Sequence, residues 1–450
     1  MVTGKFFMSL LSKFKNDPLF AKIMRSSGSL FSNNTFAYGL SLVQNIMATR
    51  LLGPAGLGLI SVVMAFSSTV NSILSFRMGE LVVRYGGEYL TQQKKEQASA
   101  LLKAASITEA AVSLLAFLAV LVTAKLAEIY SAKTPDTAWM FMLFAINLLA
   151  NFNTETSTGI LQITGKIKLQ GTVNLIQAVI TTIIIAGAFF FNGSIITVLI
   201  AYLVGKSITG LGLFLLAQTQ LKEKLGSGWW TTPVSALMAQ REVFRFAFSS
   251  NISATIIKLF RESEPIWVSF FLNTTAVGYY RVALSLIHIL SVPADPLIAT
   301  TFPEINALAA EKKWKRLKGF LKKITTFSFA YNLAIGMGLF FWGRWIILIY
   351  SGEKYLDAYP ALIALAVGLV FNYTLFWNRP LLLALGLPEF PIYATLAAGV
   401  IKLALSFWLV PIYGVVAAGG LLSFYYIASV GAMVIRGLQQ IEFYENSTHH

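Results

Sequence analysis

Apolar residues run along this chain in long blocks, separated by short polar and basic stretches. A membrane-crossing helix needs about 20 such residues, and blocks of that length centre near Gly39, Ala65, Leu114, Ala145, Ile180, Leu203, Thr255, Leu286, Leu333, Gly368, Gly399 and Ser423. The pattern predicts an all-α polytopic membrane protein with about twelve transmembrane helices. A transmembrane barrel would alternate apolar and polar residues, and TTIIIAGAFFF at 181–191 does not. Small residues recur inside the blocks, as close helix packing in lipid allows.

The pattern also repeats. A shift of about 220 residues lays RLLGPAGLGLISVVMA, from Arg50, over FFLNTTAVGYYRVALS, from Phe270. Leu52 then meets Leu272, Gly58 meets Gly278, Val62 meets Val282, and Leu101 and Lys103 meet Leu321 and Lys323. Apolar blocks and basic connectors align together, which predicts two six-helix bundles, 28–217 and 246–437, in parallel orientation. A basic amphipathic segment, 1–27, precedes them, a polar linker, 218–245, joins them, and a tail, 438–450, follows. Two bundles about one axis imply a cleft between them and alternating access.

Polar residues inside the blocks are the candidates for chemistry. In IIKLFRESEPIWVSFF, 256–271, Lys258, Arg261, Glu262 and Glu264 share one helical face, opposite Ile256, Leu259, Phe260, Ile266 and Trp267. Each charge at mid-membrane costs about 2.5–3.5 kcal/mol on insertion scales, so four facing lipid would cost on the order of 10 kcal/mol. They must face protein or water. Spacings of i,i+4 and i,i+3 would let Lys258 and Glu262, and Arg261 and Glu264, neutralise one another as scaffold pairs. The next block carries a second stripe, Arg281, Ser285, His288, Ser291 and Asp295, and two adjacent polar faces read as a cavity wall. His288 carries an imidazole of the kind that shuttles protons, although a lone histidine is also compatible with a core role.

Asn147, Asn151, Glu155, Thr158 and Gln162 line up in the fourth block, and Asn174, Gln177 and Thr181 in the fifth. Lys206 and Lys402 are isolated cations in the sixth and eleventh, where snorkelling or a single pairing is the alternative to facing the cleft. Glu109 is expected near a helix start in a structural role. Pro293, Pro296 and Pro303 predict a kink after the eighth block. In EKKWKRLKGFLKKI, Trp314, Leu317, Leu321 and Ile324 share a face against many lysines, which predicts an interfacial helix.

Composition agrees with the blocks: of 450 residues 56% are hydrophobic and 12% charged, half the charged share of a soluble domain. The net charge of +15 is explained by topology. About 25 of the Lys and Arg residues fall on the side of the termini and about 5 on the other, which places both termini in the cytoplasm. The N-terminal segment has no signal-peptide cleavage site and is expected on the anionic inner leaflet, with membrane lipids as partners. Basic residues spread over several inner loops exclude a nucleic-acid patch. There is no cysteine, hence no disulfide or thiolate metal site, and no metal centre is expected. His449 and His450 have the character of a tag remnant.

RLLGPAGLGLISVV, followed by FRMGELVVRYGGEYL with its Arg84–Tyr85 pair, resembles the polysaccharide-transporter family, the lipid-linked oligosaccharide flippases of bacterial surface-glycan assembly. SEPIWVSFFLNTTAVGYYRVA resembles the same family's second-half segment, with Glu264 near its usual acidic position. The resemblance implies the fold of the multidrug, oligosaccharide-lipid and polysaccharide exporter superfamily. It implies a multi-pass inner-membrane flippase that moves undecaprenyl-diphosphate-linked oligosaccharide to the periplasmic leaflet for O-antigen, capsule or exopolysaccharide assembly, alongside a glycan polymerase and chain-length proteins.

An anionic diphosphate favours a cation-lined cavity. Lys258, Arg261, Arg281, Lys206 and Lys402 are therefore assigned as substrate-attracting residues, with Glu262, Glu264, His288, Asp295 and Glu155 as charge partners or carriers of a coupling cation, H+ or Na+. Tyr280, Phe260 and Trp267 are candidates for stacking on sugars. The first block, 28–49, lacks the acidic residue that antiporters of the superfamily often carry; coupling then runs through the second half, or substrate synthesis and consumption drive transport. The rival reading is a cation-coupled multidrug antiporter of the same fold. A lipid II flippase would need two further C-terminal helices. A glycan polymerase or ligase would need a periplasmic catalytic loop, and an ATP-driven pump would need a P-loop.

Overall fold

The computed structural model describes residues 18–75, 78–234, 263–288 and 294–447; the side chains of 18–35, 294–300 and 447 are outside the description. Among the described residues the chain is helical throughout. Seven helices are long and apolar enough to cross a membrane: Phe36–Leu74, Lys95–Ala132, Lys168–Phe190, Ile195–Leu225, Trp314–Ser351, Glu353–Ala384 and Phe390–Asn446.

Several of these hold more than one predicted block, and the breaks have local causes. Helix α1, Pro18–Leu74, turns at Gly53, which adopts φ 65° immediately before Pro54. That left-handed conformation is open to glycine and costly for other residues. The last helix breaks the same way at Gly414, φ 63°, three residues after Pro411. Each of the two therefore contains two limbs, matching blocks one and two and blocks eleven and twelve. The fourth block is discontinuous, with α5 at Ala138–Ala150 and α6 at Thr154–Ile163.

Two compact units are present. The first comprises Met1–Met47, Phe76–Leu115 and Ile146–Phe248. It holds α2 (Met78–Leu81), a π-helical turn (Val82–Gly86), α3 (Gly87–Thr91), the start of α4 (Lys95–Ala127), then α6, α7 (Lys168–Phe190) and α8 (Ile195–Leu225). Its core packs Met78, Val82, Tyr89, Leu101, Leu102, Ile160, Leu221 and Trp229. Gln44 ties the first limb of α1 to α7, donating at 2.9 Å to the Ala178 carbonyl and at 2.9 Å to Thr182 Oγ1.

The second unit comprises Ala48–Ser75, Ala116–Ala145 and Ser249–His450. Its described helices are the second limb of α1, the ends of α4 and α5 that face it in sequence, α9 (Glu264–Phe271), α10 (Thr274–Ile287), α11 (Ala294–Ala310), α12 (Trp314–Ser351), α13 (Tyr359–Thr374), α14 (Asn378–Ala384) and α15 (Phe390–Ser447). Within it, first-half and second-half helices meet at a symmetric crossing. A Cβ added to Gly58 would land on the Thr274 carbonyl, and one added to Gly278 would land on the Pro54 carbonyl. Pro54 and Thr274 are themselves equivalent under the repeat, as are Gly58 and Gly278. The flanking valines, Val62 and Val282, are both buried.

Further bonds seal the loops around that crossing. Tyr355 donates to the Thr49 carbonyl at 3.1 Å, Arg50 to Ile349 at 2.5 Å, and Lys133 to Phe270 at 2.5 Å and Leu272 at 3.2 Å. Ser269 donates to the Ser131 carbonyl.

Two expectations change. The basic amphipathic segment from Trp314 is the first part of α12 rather than a separate surface helix. Its apolar face is covered by protein, with Trp314, Leu317 and Leu321 packed among Ile305, Leu381 and Ile441. Pro296 lies in the first turn of α11, where a missing N–H costs no helical hydrogen bond, and Pro303 lies inside that helix. The predicted kink over 291–304 is thus a single helix from Ala294 onward, and Pro293 lies outside the described residues.

Candidate functional site

The fourth block supplies one wall of a pocket in the first unit. Gly79 and Gly159 let α2 and α6 approach until their backbones nearly touch: a Cβ on Gly159 would stand 2.9 Å from Val82 Cγ1 and 3.1 Å from the Gly79 carbonyl oxygen. Beside this contact opens a cavity of about 440 Å³ lined by Gly79, Glu80, Val83, Arg84, Thr154, Glu155, Thr158, Gly159 and Gln162. Glu80, Arg84 and Gln162 are exposed, Glu155 and Thr158 half-buried. Gly159→Val is expected to push α2 from α6, lowering stability by about 1–2 kcal/mol in thermal unfolding, because overpacked cores lose stability on that scale.

Arg84 stands on the π-helical turn Val82–Gly86, with its guanidinium over the Tyr85 ring at 5.2 Å. A π-helical turn widens the helix by one residue and is frequent at functional sites. The pocket offers one guanidinium, two carboxylates, two hydroxyls and an amide. That set can hydrogen-bond a hydroxyl-rich ligand from several directions, while its formal charge of one cation against two anions does not suit a bare diphosphate.

Behind the pocket wall, Glu109 of α4 caps the start of α6. Its Oε1 accepts from the Glu155 N–H at 2.8 Å and its Oε2 from the Thr156 N–H at 2.9 Å. The first N–H groups of a helix have no partner within the helix, and the positive end of the helix dipole favours a carboxylate there. Asn153, in the break, donates to the Ser106 carbonyl at 3.3 Å. Glu109, expected near a helix start, stands instead in the interior of α4, and the helix start it serves is that of α6. Glu128, later on the same chain segment, caps α5 in parallel fashion, accepting from Thr137 and Ala138 at 3.1 and 2.8 Å.

In the second unit, Glu264 and Lys402 form a buried ion pair, each 3% exposed. Tyr280, fully buried, donates to Glu264 Oε2 at 2.9 Å. Pro265 at the start of α9 places Glu264 in its first turn, and α10 and α15 bring the two partners. Two residues assigned separately, one to substrate and one to coupling, are thereby partners of each other. Tyr280 has no ring face left open for a sugar in this conformation. The Trp267 indole donates to Ser263 Oγ at 3.0 Å and its ring stacks on Phe271.

Other predicted positions scatter. Lys258, Arg261 and Glu262 lie outside the described residues. Arg281 is half-buried on α10, and His288 is exposed at the C-terminal cap of that helix. Asp295 falls in the first turn of α11. Lys206 is exposed on α8, where its carbonyl accepts from Asn151 at 3.1 Å. The pocket joins Glu155, Thr158 and Gln162, a stripe legible in the sequence, to Glu80 and Arg84. Arg84 was visible as a motif residue and had no assigned role; the signal available for it was a lone cation in the run MGELVVRYGGEYL.

Comparison with known proteins agrees with this architecture. Residues 23–308 match the family described as "Polysaccharide biosynthesis protein". The inner membrane protein YghQ of Escherichia coli K12 is 22% identical over 351 residues, covering 76% of this chain and 96% of that protein. An inward-facing multidrug resistance MATE family transporter of the MOP superfamily superposes with a TM-score of 0.74 at 14% identity, over 90% of this chain and 95% of the other. The lipid II flippase MurJ in an inward closed conformation gives 0.69 at 15% identity, over 92% and 90%. These structural likenesses show that the chain shares the fold of those two proteins.

Proposed function

We propose, from the premise that the chain belongs to the polysaccharide biosynthesis protein family, that it translocates a polyprenyl-diphosphate-linked oligosaccharide across the bacterial inner membrane by alternating access. The observation that carries this reading is the pocket of Glu80, Arg84, Glu155, Thr158 and Gln162. Hydroxyl-bearing sugars are recognised by short-range hydrogen bonds from mixed donors and acceptors, and exposed charges on helices of a membrane protein belong in a water-filled cavity. A polyprenyl tail is at home in lipid, so only the sugar and diphosphate need a polar route. With both termini cytoplasmic, the pocket lies toward the cytoplasmic loops, on the side where lipid-linked glycan is loaded. The diphosphate is left to the cations Lys258, Arg261 and Arg281.

The test is flipping in proteoliposomes, read as protection of a polyprenyl-diphosphate-linked oligosaccharide from an impermeant glycosidase. Arg84→Ala and the double variant Glu155→Ala, Gln162→Ala are expected to slow translocation about tenfold or more, since losing a hydrogen bond to a charged group costs about 1.5–3 kcal/mol. If the glycan lipid stays in its leaflet while a cationic dye crosses under an ion gradient, the antiporter reading replaces this one.

A further inference from the structure

Glu109 is a carboxylate buried in a membrane-crossing helix, 7% exposed, whose oxygens accept two backbone N–H groups. No lysine, arginine or histidine is paired with it among the described residues. Thr156 is fully buried beside the carboxyl, and Ser106 precedes Glu109 by one turn on the same helical face, 5% exposed, with an Oγ that has no hydrogen-bond partner among the described residues. The charged group facing Glu109 is Glu155, whose N–H it holds and whose side chain lines the pocket.

We propose that Glu109 is a proton-binding site that controls α6, so that protonation and glycan binding act on one helix. The proposal rests on reading the pocket as the glycan site. An ionised Glu109 holds the Glu155 and Thr156 N–H groups in the first turn of α6 by charge-assisted bonds and anchors Thr158 and Gln162 through that helix. At lower pH one carboxylate oxygen takes a proton from water, reached through the pocket past Glu155. The new O–H becomes a donor, for which Ser106 Oγ is an acceptor in waiting, and one carboxyl oxygen no longer serves the helix start. The N-terminus of α6 is then free to shift against α2. A proton needs a single lone pair and no coordination shell, so two hydroxyls and one carboxylate serve it better than they would a sodium ion.

The chain has no cysteine, so Lys166→Cys, exposed just past the end of α6 and outside the pocket lining, gives a unique attachment point for an environment-sensitive fluorophore. In nanodiscs the labelled protein is expected to show one fluorescence transition with pH. Glu109→Gln, added to it, is expected to hold the acid-limit signal at every pH. Glu109→Asp is expected to restore a transition at a displaced midpoint, and Glu155→Gln to retain one. Ser106→Ala, a milder change, is expected to move the midpoint toward lower pH. A transition unchanged by Glu109→Gln overturns the proposal, as does one that follows sodium concentration at fixed pH.

If protonation and glycan binding are linked, glycan affinity should differ at least about fivefold between the pH limits, at the lower end of typical coupling, and Glu109→Gln should abolish that difference. The fluorescence titration uses no glycan. A transition through Glu109 without any glycan binding would therefore sink the substrate reading alone, whereas glycan flipping indifferent to Glu109 would sink the coupling alone.

Discussion

Gly58→Leu is expected to lower stability by about 3 kcal/mol or more, and Gly278→Leu by a similar amount. Overpacking a core costs about 1–3 kcal/mol when neighbours can turn aside, and more when they cannot. Here the obstacle at Gly58 is the backbone of Thr274 and at Gly278 the backbone of Pro54, and a backbone carbonyl has no rotamer to escape into. The helices must separate, which also strains the bonds from Tyr355 to Thr49 and from Arg50 to Ile349. Gly39→Ala is the control: nothing lies within 4 Å of its added Cβ, so removing glycine from the helix should be neutral or stabilise by up to about 1 kcal/mol.

Apparent unfolding temperature in detergent measures the first effect. The second is conformational. In this cysteine-free chain, a Ser131→Cys, Ser269→Cys pair should be joined by a short bifunctional reagent, and Gly58→Leu should abolish that cross-link. Equal losses from the two glycines would support the repeat as a structural symmetry; a large loss at one and none at the other would mean that the crossing is not shared between the halves.

The symmetry was partly visible beforehand because its signal is local. Gly58 and Gly278 sit in matched strings of residues, and a backbone-to-backbone crossing tolerates nothing larger, so sequence and structure carry the same constraint. Block length likewise exposed the helices, since about 20 apolar residues are needed wherever a helix crosses lipid. The breaks were less legible. Gly53 and Gly414 turn the chain through a positive φ within helical hydrogen bonding, and glycine is too common in membrane helices for that to be read from one letter.

The site was legible by stripe and obscure by partner. Periodicity placed Glu155, Thr158 and Gln162 on one face of a helix. It could not show that Arg84, some seventy residues earlier, would stand across from them, because tertiary neighbours leave no spacing in the chain. Glu109 illustrates the same limit: an isolated acid on an apolar helix reads as an oddity until the break at 151–153 brings two N–H groups to it.

Lys402→Met is expected to cost about 3–5 kcal/mol, the range for removing one member of a buried ion pair, because Glu264 is left charged without a counterion. Helical spacing offered Glu264 a partner at Arg261, three residues away; the fold supplies one 138 positions later on α15. Adding Glu264→Gln to Lys402→Met removes both charges and keeps an acceptor for the Tyr280 hydroxyl, so the double variant should regain most of the lost stability. A coupling energy of that sign and size in the double-mutant cycle identifies a true pair; additive losses would show that the two residues act independently.

Transport then separates scaffold from mechanism. If the pair only fixes α9, α10 and α15 to one another, the stable double variant should flip glycan at the rate of the unmodified protein. If Lys402 leaves Glu264 during the cycle to meet the diphosphate, the double variant should be stable and slow, since restored packing cannot replace a mobile cation.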